Sequence, residues 1–123
     1  MADRTALVVG ARGVIGTNLI EHLGGIGGWD VIGLSRRGGT DTAAVRHLPV
    51  DLLEPASLAG ITTPLRDVTH VFYAAYQDRP SWAELVEPNV AMLTNVLGRL
   101  IKVSIWPKFD RFHTLIKQFL LRW

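Results

Sequence analysis

The stretch that most constrains the fold lies near the amino terminus. Thr5 to Val9 (TALVV) is a short apolar run rich in β-branched residues. Gly10, Gly13 and Gly16 follow at a spacing of three, and Val14, Ile15, Leu19, Ile20 and Leu23 then recur at helical spacing. A run that is apolar at nearly every position reads as a strand covered on both faces, as parallel sheets require. Strand, glycine turn and helix in that order open a βαβ unit.

In such a turn each glycine has a physical task. Gly10 lets the chain turn sharply off the strand. Gly13 lets backbone approach a pyrophosphate with no Cβ in the way, and Gly16 lets the helix pack close to the sheet. The helix start supplies free N–H groups and a partial positive charge that suit phosphates. Gly10-Ala11-Arg12-Gly13-Val14-Ile15-Gly16 therefore reads as a dinucleotide loop. A glycine-rich turn with no ligand is the alternative.

The same alternation continues. Gly24-Gly25 and Gly27-Gly28 end the first helix, and Asp30 to Ser35 (DVIGLS) reads as a second strand. A polar loop, Arg36 to Thr42, leads to a third strand at Val45 to Val50. Glu54 to Ala59 suits a short helix with Pro55 near its start. Val68 to Ala75 reads as a fourth strand. Ser81 and Glu84 make an S-x-x-E capping box for the next helix. Pro88 interrupts that pattern, and Val90, Leu93, Val96 and Leu97 carry a stripe onward from Asn89. The expected fold is α/β: a Rossmann-type doubly wound parallel sheet, limited to its first four strands. Its fourth strand would be left as an edge open to self-association.

The second strand refines the ligand. A cofactor with a free 2′-hydroxyl is usually held by an Asp or Glu at this strand's end, some 20 residues past the loop. Ser35, Arg36 and Arg37 stand there instead, while Asp30 lies at the strand's start. Guanidinium groups bond phosphate in a bidentate manner and stack on adenine. NADP(H) is therefore the expected cofactor, with two surface arginines on a solvated loop as the alternative. Asp51 and Leu52, after the third strand, suit the adenine, although Asp51 could equally cap a helix. Small Ala74 and Ala75 at the end of the fourth strand would let backbone pass close to the cofactor.

These four features in this order resemble the extended short-chain dehydrogenase/reductase superfamily, of the NAD-dependent epimerase/dehydratase kind. THVFYAAYQDRP followed by EPNVAMLTNVL is similar to the progesterone 5β-reductase/iridoid synthase-like reductases, over residues 3–98. The resemblance implies an NADPH-dependent oxidoreductase that reduces an enone or carbonyl. It implies that Gly10, Arg12, Gly13, Val14, Ile15 and Gly16 line the pyrophosphate. It puts Ser35, Arg36 and Arg37 at the 2′-phosphate and Asp51 and Leu52 at the adenine. Ala74, Ala75 and Tyr76 would lie along the ribose and nicotinamide side, with Asn89 bracing that region. The family's chemistry also needs a tyrosine and a lysine. The only tyrosines are Tyr73 and Tyr76, on the cofactor-side strand, and the lysines are Lys102, Lys108 and Lys117. No catalytic residue is assigned. His22, His47, His70 and His113 show no ligand or nucleophile spacing, and no metal is expected.

Charge divides the chain. From Gly98 onward Arg99, Lys102, Lys108, Arg111, Lys117 and Arg122 face a single acid, Asp110, which leaves the preceding part acidic within an overall +2. Residues 1–98 are expected to form the nucleotide-binding half and residues 99–123 a basic amphipathic tail. In it Ile101 to Ile105 suggests a strand, and Phe109, Phe112, Leu115, Ile116, Phe119, Leu120 and Trp123 share a helical face. The tail reads as a shifted frame or truncated product, as a helix covering the sheet, or as a basic helix meeting a membrane surface or partner. A non-catalytic nucleotide-binding or interaction module using this tail is the alternative to a reductase part. The absence of cysteine excludes disulfides and thiolate metal sites. No apolar run approaches a membrane span, and no signal peptide is evident. A cytoplasmic location is expected, with a dinucleotide rather than nucleic acid as partner.

Overall fold

The structure, a computed structural model, describes residues 3–103. In chain order the elements are β1 (Arg4–Val9), α1 (Val14–Ile26), β2 (Trp29–Ser35), β3 (Val45–Pro49), α2 (Pro55–Ala59), α3 (Thr62–Leu65), β4 (His70–Tyr73) and α4 (Trp82–Lys102). The four strands form one sheet in the order β3-β2-β1-β4. All three pairings are parallel, with Val9 opposite Leu34 on one side and Tyr73 on the other. This is the 3-2-1-4 order of a doubly wound sheet up to its switch point.

β1 is the central strand, and Ala6 to Val9 are completely buried. Its alternate side chains serve two cores. Leu7 and Val9 pack with Ile32, Leu34, Leu58, Leu65, Val68, Met92, Val96 and Leu100 under α2, α3 and α4. Ala6 and Val8 pack with Ile20, Leu23, Val31 and Val45 under α1. A strand with a layer on each face shows no polar alternation, which is why TALVV is apolar throughout.

Several boundaries differ from the sequence reading. α1 passes through Gly24 and Gly25 and ends at Gly27, whose φ of +75° suits a residue without Cβ. Val14 and Ile15 fit the helical stripe yet are 81% and 71% exposed. Neither belongs to the two buried clusters; both side chains face the open edge where the strands end. β4 is shorter than Val68–Ala75, although Ala74 N–H still donates to the Val9 carbonyl at 2.8 Å. The four-residue α3 has no sequence signal strong enough to nominate it.

α4 opens at the expected capping box: Ser81 Oγ accepts from Glu84 N–H and donates to Glu84 Oε2. Pro88 does not break the helix. Proline there removes the bond to the Glu84 carbonyl, and Glu84 sits on an exposed turn where water can replace it. The helix also continues through Gly98 to Lys102, with Leu100 and Val103 buried, so Ile101 and Lys102 are helical rather than extended. The remainder of the expected tail, residues 104–123, lies outside the described residues. Among the described residues no helix is long and apolar enough to cross a membrane, and no cluster of His, Asp or Glu could hold a metal ion.

Candidate functional site

Parallel strands deliver their following loops to one edge of the sheet, and there the chain forms a cleft of about 920 Å³. Val14 and Ile15 line it from the start of α1, and Gly10, Arg12 and Gly13 from the first loop. Ser35, Arg36 and Arg37 line it from the second, Asp51 and Leu52 from the third, and Ala74, Ala75 and Tyr76 from the fourth. Of the residues nominated from sequence only Gly16 is absent from the lining. Four segments distant in sequence therefore meet at the carboxyl ends of the strands, where open α/β sheets place ligands.

The glycine loop is held by backbone. Gly10 and Ala11 N–H both donate to the Leu34 carbonyl, at 3.1 and 3.0 Å. Gly10 has φ +89°, and a Cβ there would lie 2.7 Å from the Ala74 carbonyl group and the Ala75 nitrogen. The loop thus touches the end of β4 through main chain alone. Gly16 packs α1 against the loop rather than against the sheet, since a Cβ there would lie 2.0 Å from the Gly10 carbonyl oxygen. Gly13 is different: its nearest neighbour would be the Gly10 oxygen at 3.6 Å, so its Cβ direction is open. Gly13 is also the N-cap of α1, and no side chain caps the first turn. The free N–H groups of that turn are left for another acceptor.

The turn after β2 carries the basic groups. Arg36 and Arg37 are exposed, whereas Gly38 behind them is buried in the left-handed region at φ +68°. The Gly38 carbonyl accepts from Arg12 Nη1 at 3.0 Å and from Ser35 Oγ at 3.2 Å. Arg12 therefore bridges the first and second loops. Asp30 is at the other end of β2, as its sequence position implies.

The other rim is fastened by α4. Asn89 accepts from Gln77 N–H at 2.8 Å and donates to the Gln77 carbonyl at 2.9 Å, bracing the segment after β4. Asn95 donates to the Leu52 carbonyl at 2.8 Å. Asp51 turns one carboxylate oxygen back to Leu53 N–H at 3.0 Å, so part of its bonding capacity is local. Sequence reasoning missed Leu34, Val50, Leu53, Gln77, Asp78 and Met92 in the lining. Gln77 and Asp78 directly follow the nominated Tyr76, and that adjacency was the available signal. Leu34, Val50 and Met92 are core residues whose ends surface in the cleft, which no local pattern reveals.

Tyr73 turns away from this chemistry. It packs against the core beneath α4, and its buried hydroxyl has no hydrogen-bond partner. Burial pushes its phenol up to about 12. Ionisation is then easier in the unfolded chain, so the stability present below pH 10 falls as pH rises from about 10 to about 12. Ultraviolet titration of a Tyr76→Phe chain is expected to show the remaining phenol ionising near 12. Ionisation at the ordinary value would show Tyr73 to be solvated.

Residues 6–112 match the NAD dependent epimerase/dehydratase family, past the point where the sequence resemblance was placed. The chain is 34% identical over 106 residues to (S)-8-oxocitronellyl enol synthase ISY1 of Nepeta racemosa, covering 80% of this chain and 27% of that protein. It is 34% identical over 108 residues to 3-oxo-Delta(4,5)-steroid 5-beta-reductase of Arabidopsis thaliana, again covering 80% and 27%. The chain spans about a quarter of the length of these curated relatives. A short chain dehydrogenase from Burkholderia cenocepacia J2315, solved in complex with NADP, shares the fold with a TM-score of 0.71 at 19% identity, over 84% of this chain and 50% of that one. The strand order, the glycine loop and the extent of the match agree: the chain belongs to the NAD dependent epimerase/dehydratase family.

Proposed function

We propose that the cleft binds NADP(H), and that the chain is the cofactor-binding part of a reductase acting on an enone or carbonyl. One observation carries the reading. The cleft has two anion-seeking features: the uncapped start of α1 and the exposed Arg36–Arg37 pair. A dinucleotide with both a pyrophosphate and a 2′-phosphate presents charge at two such places. The residues fit this group. Gly13 leaves the approach to the helix start open, and Val14 and Ile15 offer apolar surface that a ligand would cover.

In this reading Gly10, Arg12, Gly13, Val14, Ile15 and Gly16 form the pyrophosphate loop. Ser35, Arg36 and Arg37 take the 2′-phosphate, and Asp51 and Leu52 border the adenine. Ala74, Ala75 and Tyr76 border the ribose and nicotinamide. Bound NADPH supplies a hydride. The chain's own residues orient the cofactor, and no described residue is assigned as proton donor. The resemblance to an (S)-8-oxocitronellyl enol synthase and a 3-oxo-Delta(4,5)-steroid 5-beta-reductase supports the substrate class. The outer edge of β4, unpaired among the described residues, is the surface through which the chain would self-associate. A chain without cysteine is compatible with the reducing cytoplasm, where the reading places it.

The test is discrimination between cofactors. A hydrogen bond to a charged group contributes about 1.5–3 kcal/mol. Replacing Arg36 and Arg37 together by Ala is expected to weaken NADPH by about 10- to 100-fold in calorimetric titration and to change NADH by less than about twofold. Equal losses for both nucleotides would remove the 2′-phosphate assignment.

A further inference from the structure

In the order β3-β2-β1-β4, β3 closes one side of the sheet. An edge strand presents a row of backbone groups with which a strand of another molecule can pair. On β3 that row can be followed residue by residue. Val31 N–H donates to the Ala44 carbonyl and Val50 N–H to the Ser35 carbonyl, both at 2.8 Å. Residues 44 and 50 therefore face β2, and the alternation of a strand turns 46 and 48 the same way. Val45, His47 and Pro49 present their backbone groups outward.

These three leave no outward donor free. Val45 N–H donates to Thr42 Oγ1 at 3.2 Å, and the Val45 carbonyl accepts from Thr42 N–H at 2.8 Å. His47 N–H donates to Asp41 Oδ1 at 2.7 Å. Pro49 has no N–H to offer. Both acceptors come from the loop between β2 and β3, which retraces β3 in reverse. Gly38 lies against Pro49, Gly39 against the His47 ring, and Thr42 against Val45.

We propose that this loop is a built-in edge guard: Thr42 and Asp41, together with Pro49, close β3 to strand addition by a second copy of this chain. The guard stands whether or not the cleft holds NADP(H). Its side-chain oxygens take the places that the carbonyls of a further strand would take. A carboxylate holds a backbone N–H more strongly than a neutral carbonyl does, so an incoming strand would exchange the Asp41 bond for a weaker one. A chain with one guarded edge can pair only through the other, in a symmetric contact that closes at two copies. Two open edges would add copies without limit.

Three chains of the full 123 residues test this. They are the parent, an Asp41→Ala, Thr42→Ala chain, and an Asp41→Asn, Thr42→Ser chain that keeps an acceptor oxygen at both positions. Sedimentation velocity over a range of concentrations reads the mass. Amide hydrogen exchange reads the N–H groups of Val45 and His47. In the dilute alanine chain, exchange is expected to quicken by about tenfold to a hundredfold at His47 and about threefold to tenfold at Val45. On concentration that chain is expected to grow into species larger than any the parent forms, while both amides regain protection. The Asn–Ser chain is expected to match the parent in mass and in exchange. An alanine chain that keeps the parent's mass would overturn the guard. So would growth that leaves Val45 and His47 unprotected, which is how unfolding and non-specific aggregation would read. Fast exchange at both amides in the parent, or assembly of the Asn–Ser chain beyond the parent, would overturn it as well.

Discussion

Gly16→Ala is expected to destabilise the chain by about 3 kcal/mol, the upper range for overpacking, while Gly25→Ala in the same helix stabilises it by about 1 kcal/mol. Alanine improves helix propensity equally at both positions. The difference is what the new methyl meets. At Gly25 nothing lies within 4 Å. At Gly16 the methyl would lie 2.0 Å from the Gly10 oxygen, 2.8 Å from the Gly10 carbonyl carbon and 3.0 Å from the Ala11 Cα. These atoms cannot retreat easily, because Gly10 and Ala11 N–H are both bonded to Leu34 and Gly10 abuts the Ala74–Ala75 peptide. Urea unfolding followed by circular dichroism reads both variants. A Gly16→Ala chain more stable than its parent would mean that α1 does not rest on the loop.

Gly13→Asp is expected to do the reverse, keeping the fold and abolishing the ligand. Gly13 has φ −74° and ψ 171°, a conformation open to any residue, and it is the N-cap of α1. Aspartate is a favoured N-cap, so stability should hold within a few tenths of a kcal/mol or rise. Its carboxylate would occupy the helix start where a pyrophosphate belongs. Repulsion between such charges near a protein surface is on the order of 3 kcal/mol, so dinucleotide affinity should fall by about a hundredfold. Calorimetric titration beside a melting curve checks both halves. Retained affinity in a folded Gly13→Asp chain would show that the first loop does not carry the phosphates.

The sheet was legible because burial leaves a mark on sequence. A central strand with helices on both faces has to be apolar at successive positions, and β1 is. The glycine loop was legible because backbone contacts at 2.7 Å and less exclude every other residue at Gly10 and Gly16. The S-x-x-E box announced α4, yet Pro88 made the helix look divided, since a motif does not say whether the carbonyl freed by proline faces water. Ile101 looked extended because β-branched residues surround it, and packing of Leu100 and Val103 outweighs that local preference. All four loops of the cleft were legible, although Leu53, Gln77 and Asp78 in them were missed and Gly16 lies outside the lining. The cleft's fastenings were not. Asn95 to Leu52 and Arg12 to Gly38 join positions 43 and 26 residues apart, and a polar side chain reaching a distant backbone carbonyl leaves no periodicity to read.

The cofactor site is tested most directly by titrating the parent chain with NADPH and with NADH side by side, in the same buffer and at the same ionic strength. Saturable one-to-one binding of both is expected, with NADPH tighter by about tenfold or more through the 2′-phosphate. Equal affinity would contradict the role of Arg36 and Arg37, and no binding of either would contradict the cleft as a dinucleotide site.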